Sequence, residues 1–379
     1  MSKQNRTVNR DYSTKICLLF CTIASLVLAL RANWGRIPFW DLHPVFNAIN
    51  DYGLGLNPYR FQEQSMFIYH PLVLRLLSSI NELIDISTFF NVAYVLILIW
   101  FIFESIRFLG NREAKLNRYQ PIVIAMVFGG VAINALLCGN FSAYFHLIVI
   151  SLIFNYLNRP RIFCLFLFGI AIVCFAIVKP YFLAYVLFYF LVLRPKNAIA
   201  TGILTSLALV ALWFGGALLF ADQYSDFLQA LQYQLVAKND LGGYSTLRIF
   251  GPYLGYQWAF MLHVTIMGLV CLLALIRISR NQLLAYDIKS QALLLILFII
   301  FANPRIVFYD FFAAIFVLVY FLITNNQKCQ QILLFGFPLA IYSQLAEHSI
   351  RWIILAYAVM SLTAMAESVL RNKSKLDQN

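Results

Sequence analysis

The sequence predicts an all-α polytopic membrane protein of about twelve transmembrane helices, since each crossing takes about 20 apolar residues. Three observations carry this. The 379 residues are 62% hydrophobic and only 12% charged, where soluble domains run at roughly 25% charged. Apolar runs of spanning length recur from end to end, continuous rather than alternating, which favours a helix bundle over a barrel. The formal charge of +12 falls largely in short loops on one side of those runs, as the positive-inside rule requires.

Taken in order, the polar, basic segment 1–15 precedes a first run at 16–34. No small-residue cleavage site follows, and Arg31, Trp34 and Arg36 resemble interfacial anchors, so an uncleaved first span is expected. The next run, 67–84, contains Tyr69-His70-Pro71, Arg75, Asn81 and Glu82, too polar for a lipid-exposed crossing. It is read as a juxtamembrane or re-entrant helix beginning at Pro71. The remaining spans are 87–109, 121–138, 141–157, 162–178, 181–193, 198–220, 258–277, 288–303, 306–323, 330–346 and 351–368.

With 67–84 kept out of the count, alternation puts most of the 28 lysines and arginines inside, among them Arg107, Arg159, Arg161, Lys196 and Lys289. The positive excess therefore belongs to membrane orientation, not to a nucleic acid. Both termini are expected in the cytoplasm of a multi-pass cell-membrane protein. Within the single domain 1–379, two outer loops are long. One is 35–86, with juxtamembrane helices. The other is 221–257, whose Phe227, Leu228, Leu231 and Leu235 have amphipathic spacing, followed by a turn-rich part with Gly251, Pro252 and Gly255. The seven cysteines lie in or beside apolar runs without metal-ligand spacing and read as packing residues.

The candidate chemistry gathers at the outer ends. Asp41, just past the first span, is either an N-cap for the helix that follows or a general base at the membrane–water boundary. Asp51 in Asp51-Tyr52-Gly53 is a second acid or a helix-ending turn. Lys179-Pro180, Arg305 in Asn303-Pro304-Arg305, and Arg248 would together form an anion site, although a lone Lys can simply snorkel. Asp310 opens a late span behind Tyr309 and pairs with Arg305, caps its helix, or serves the site. Gly139-Asn140 is a polar break or a tight turn. The five histidines form no H-x-x-x-H or H-E-x-x-H pattern, and phosphate-loop and nucleophile-elbow motifs are absent from the sequence.

Four of these features occur in a family order: Gly55-Leu56-Asn57-Pro58-Tyr59, Tyr69-His70-Pro71-Leu72, Gly139-Asn140 and Lys179-Pro180. Preceded by an early Asp41, this order resembles the polyprenol-phosphate-sugar-dependent glycosyltransferases of the C-type superfold. The closest pattern is glycosyltransferase family 87, with its α-mannosyltransferases. His70 stands where that family usually has proline, and Asn140 where Gln is common. The resemblance implies transfer of a mannose-like hexose from a polyprenyl-phosphate donor to a lipid-linked or glycan acceptor, on the outer face and with inversion. It implies Asp41 as base and Lys179, Arg305 and Arg248 on the donor phosphate. Asp51, Tyr59, Tyr69, His70, Asn140, Tyr309 and Asp310 would line the substrate pocket. No cofactor, metal or nucleic acid is implied. Two alternatives stay open: an outer-face glycan polymerase or ligase using lipid-diphosphate sugars, and a transporter or flippase.

Overall fold

The computed structural model describes residues 39–59, 67–109, 135–193, 196–233, 246–255, 257–266 and 288–303, with single positions 268, 309, 310, 313 and 317. Among these, every regular element is helical. Three helices are long and apolar enough to cross a membrane: Ile86–Ser105, Phe141–Asn158 and Asn197–Leu219. Three shorter apolar helices accompany them, Ile162–Val178, Pro180–Leu193 and Gln291–Ile300. The expected spans 16–34, 330–346 and 351–368, with most of 121–138 and 306–323, lie outside the described residues.

A tight turn, Trp40–Leu42, leads into α1, His43–Gly53. Helix α2, Pro71–Leu83, begins where Pro71 supplies a preset φ at the first helical position and His70 caps it, accepting from the Leu72 amide at 3.2 Å. At 13 residues, α2 reaches about 20 Å, short of a ~30 Å hydrocarbon core. It packs on α1 and on the start of α3, Ile86–Leu109. Asp85 opens α3, accepting from the Thr88 amide and hydroxyl, and these bonds hold its exposed carboxyl below the ordinary range.

The central hairpin follows. Helix α4, Phe141–Asn158, runs against α3 and against α5, Ile162–Val178. Next comes α6, Pro180–Leu193, where the sequence predicted a plain α-helical span at 181–193. Its first part, Pro180–Val186, is instead wound tightly as a 3-10 helix, and Tyr189–Leu193 is wound loosely as a π-helix. Packing of the large rings explains this. The Tyr189 hydroxyl reaches the Leu165 carbonyl at 2.6 Å, and Tyr185 and Phe182 are buried against α4. Helix α7, Lys196–Leu219, returns along α5 and α6.

Helix α8, Ala221–Gln232, lies against α7 and α2. Its buried stripe is Phe227 and Ala230, while Leu228 faces outward at 45% exposure, so the apolar face is rotated from the expected one. The stretch expected to be turn-rich contains α9, Thr246–Leu254, with Pro252 inside it. Leu247, Phe250, Gly251 and Leu254 fall at helical spacing, and Gly255 at φ 78° ends the helix, its amide bonding the Gly251 carbonyl. A helical stretch at 257–266 precedes α10, Ile288–Ala302.

Alternating directions give the bundle two chemically different ends. At one, Arg107 meets Glu104 at 2.9 Å, Asn155 bonds Glu104, and Lys289 bonds Asn158 and the Phe108 carbonyl. At the other lie α1, α2, α8 and the polar cluster described next.

Candidate functional site

The cluster is assembled at the N-terminus of α4. Gly139 ends the preceding turn at φ 71°, a left-handed conformation that glycine adopts without strain. Its bare Cα is also required sterically, because a Cβ there would stand 2.6 Å from Phe39 Cβ. Phe39 itself adopts φ 62° and donates its amide to the Leu137 carbonyl at 2.7 Å. Tyr94 of α3 donates its hydroxyl to the Gly139 carbonyl at 2.8 Å and stacks flat on Tyr144, ring centroids 3.4 Å apart. These contacts clamp the Asp41 turn to the Gly139-Asn140 break.

Asn140 is the N-cap of α4, its Oδ1 accepting from the Ser142 amide at 3.0 Å. The same oxygen accepts from Lys179 Nζ at 2.8 Å, and Nδ2 donates to Asp41 Oδ2 at 2.9 Å. An ammonium and a backbone amide only donate and a carboxylate only accepts, so the amide orientation is fixed by its neighbours. Asp41 does not cap α1. The N-cap there is Leu42, without a side-chain contact, and the Asp41 carboxylate turns to Asn140 instead.

Lys179 reaches the cluster because of Pro180. A residue before proline is driven out of the helical region, and Lys179 at φ −140° and ψ 101° ends α5. Its side chain passes to the start of α4, where Nζ donates to Asn140 Oδ1 and Ser142 Oγ and lies 4.8 Å from the centre of the Tyr309 ring. Tyr181, two residues on, has its hydroxyl 3.0 Å from Ser142 Oγ and donates to Asp310 Oδ1 at 2.7 Å. Asp310, 1% exposed, also meets His146 Nε2 at 3.3 Å and the Asn303 amide at 3.4 Å. His146 Nδ1 meets the Tyr185 hydroxyl at 2.9 Å. A continuous polar chain thus joins the Asp41 turn, α4, α6, the end of α10 and Asp310.

Of the residues expected from sequence, Asp41, Asn140, Lys179, Tyr309 and Asp310 come together. Tyr69 lies beside them, edge-on to Phe141 at 5.4 Å. Tyr59 and His70 belong to an outer layer against α8. The Tyr59 hydroxyl donates to the Tyr69 carbonyl at 2.9 Å, and burial raises its pKa so that it stays a donor. His70, expected beside Asp41, sits among Trp213, Tyr224 and Phe227 and directly on Gly216, where any Cβ would overlap the imidazole. Burial lowers its pKa to about 4. Asp51 is buried on α1, ten residues on from Asp41. The chain does turn after it, with the Leu56 amide bonding the Asp51 carbonyl. Arg248 lies on α9, and Arg305 falls outside the described residues.

Sequence reasoning did not single out Ser142, Tyr181, Tyr185, Asn303 or Tyr94 for the site, and it set His146 aside. A signal was present. Ser142 and His146, four apart, follow the Gly139-Asn140 break, and Tyr181 and Tyr185, four apart, follow Lys179-Pro180.

The family model for glycosyltransferase family 87 matches residues 67–304 of the chain. No curated protein and no solved structure matches it.

Proposed function

The chain belongs to glycosyltransferase family 87, and from that premise we propose that it moves a mannose-like hexose from a polyprenyl-phosphate donor to a lipid-linked or glycan acceptor. The reaction takes place at the outer face of the cell membrane and inverts the anomeric centre. The observation that carries this reading is that Asp41 and Lys179 bond opposite ends of the single Asn140 amide. Two hydrogen bonds and an amide width hold the carboxylate and the ammonium no more than about 8 Å apart. Inverting glycosidases set their two catalytic groups about 6.5–9.5 Å apart across a sugar for the same reason, to leave room for a nucleophile.

Each group then has one task. Asp41 takes the proton from an acceptor hydroxyl, whose oxygen attacks the anomeric carbon from the side opposite the phosphate. The bond from that carbon to the phosphate oxygen breaks, and its electron pair leaves with the lipid phosphate. Lys179 receives the developing charge, aided by the N-terminus of α4, where backbone dipoles favour an anion. Arg248 and Arg305 are further donor-phosphate ligands in this reading, and α1 and α2 border the acceptor side. General-base assistance is worth about 10²–10⁴-fold, and a preorganised cation at the leaving group adds to it.

A donor screen tests the proposal. Purified protein is given polyprenyl-phosphate mannose, glucose or arabinose, with a lipid extract of the native membrane as acceptor, and released polyprenyl phosphate is measured. The expected result is release from the mannose donor that depends on the acceptor extract. Release from none of the three would contradict the donor class.

A further inference from the structure

Lys179 is steered by more than its two direct partners. The Tyr181 hydroxyl has a single proton, and Asp310 Oδ1, 2.7 Å away, can only accept it. The 3.0 Å contact between Tyr181 and Ser142 is then made with the Ser142 proton, directed onto the Tyr181 oxygen. With that proton committed, Ser142 presents a lone pair to Lys179 Nζ. The result is a polarised chain: ammonium, serine hydroxyl, tyrosine hydroxyl, carboxylate. Behind it, His146 meets the Tyr185 hydroxyl through Nδ1 and faces Asp310 through Nε2. Tyr185, His146 and Asp310 are all fully or almost fully buried. A buried carboxylate is costly unless it is paired and hydrogen-bonded, so Asp310 holds its neighbours firmly.

We infer that Asp310, acting through Tyr181 and Ser142, is the buried counter-charge that orients Lys179 toward the donor phosphate. His146 and Tyr185 hold Asp310 in place. These are positioning residues, since the chain reaches the substrate only through Lys179, and the inference rests on the function proposed above. It assigns donor binding, and through Lys179 the stabilisation of the leaving phosphate, to a group buried in the bundle.

The test compares wild type, Tyr181→Phe and Asp310→Asn. Donor KM and kcat are measured with polyprenyl-phosphate mannose, and binding of polyprenyl phosphate alone is measured by titration in detergent. Both variants are expected to raise the donor KM and the polyprenyl-phosphate Kd about 10- to 100-fold, the range for a lost hydrogen bond to a charged group. At saturating donor, kcat should fall as well, because Lys179 also receives the charge that develops on the leaving phosphate, and the acceptor KM should not move. Asp310→Asn keeps an acceptor for Tyr181 and removes only the charge. If that variant does not fold, Tyr181→Phe decides alone, since it deletes one oxygen and leaves the ring. Unchanged donor KM and Kd in Tyr181→Phe, with or without a fall in kcat, would overturn the inference. A wild type that binds polyprenyl phosphate through Lys179 but transfers nothing would overturn the function proposed above. The Tyr181→Phe binding result would still decide the positioning role.

Discussion

At the residue scale, single atoms decide what this cluster can do. Gly139 combines a positive φ with a Phe39 side chain where its own Cβ would be. Gly139→Ala should therefore destabilise the protein by at least about 1–2 kcal/mol, the usual penalty for a left-handed non-glycine residue. It should also loosen the Asp41 turn. Thermal unfolding in detergent checks the first effect and the transfer rate the second. His70 makes a different prediction. Its pKa in the fold, lowered from 6.5 to about 4 by burial, means the unfolded chain takes up the proton more readily. The stability linked to His70 is complete above pH 6.5, falls by about 1.4 kcal/mol per pH unit as pH drops toward 4, and levels off below. His70→Asn, which keeps a good cap residue without a titrating ring, should flatten that acid limb in melting curves taken between pH 7 and 4. An unchanged limb would place the acid sensitivity elsewhere.

At the element scale, the site depends on where helices stop. Asn140 caps α4, Lys179 ends α5 before Pro180, and Asn303 follows α10. Three helix ends therefore meet: Asn140 satisfies the orphan Ser142 amide, Lys179 bonds the Asn140 and Ser142 side chains, and the Asn303 side chain bonds Asp310. Replacing Asn140 by Ser separates the tasks, because Ser caps about as well as Asn but is too short to bridge Asp41 and Lys179. Asn140→Ser should unfold near the wild-type temperature and transfer sugar at least ~10-fold more slowly, about one lost charge-assisted hydrogen bond. The helix boundaries themselves were readable from sequence. Pro71, Gly139-Asn140 and Lys179-Pro180 are breaks that local chemistry dictates, and each falls where expected. The irregular winding of α6 was not readable, since it follows from how Tyr185 and Tyr189 seat against α4 and α5. The rotation of α8 was also hidden, because it is set by Phe227 packing on His70 from a distant loop.

At the scale of the whole molecule, alternating apolar runs predicted that Asp41, Asn140, Lys179 and Asp310 would share one end of a bundle, and they do. The partners of each were not legible, since contacts such as His146 with Asp310 join residues 164 positions apart and leave no local pattern. The proposed sidedness rests on charge. Arg159, exposed just beyond α4, is at the end opposite Leu54, exposed just beyond α1. In a background lacking the seven native cysteines, Leu54→Cys should react with an impermeant thiol reagent in intact cells, and Arg159→Cys only after permeabilisation. The reverse pattern would invert the topology. The central claim is that Asp41 is the base. Asp41→Asn retains an oxygen to accept from Asn140 Nδ2, so the fold should melt within a few degrees of wild type. Its initial rate of sugar transfer from polyprenyl-phosphate mannose should fall by about 10²-fold or more. A folded Asp41→Asn protein that transfers sugar at the wild-type rate would contradict the account.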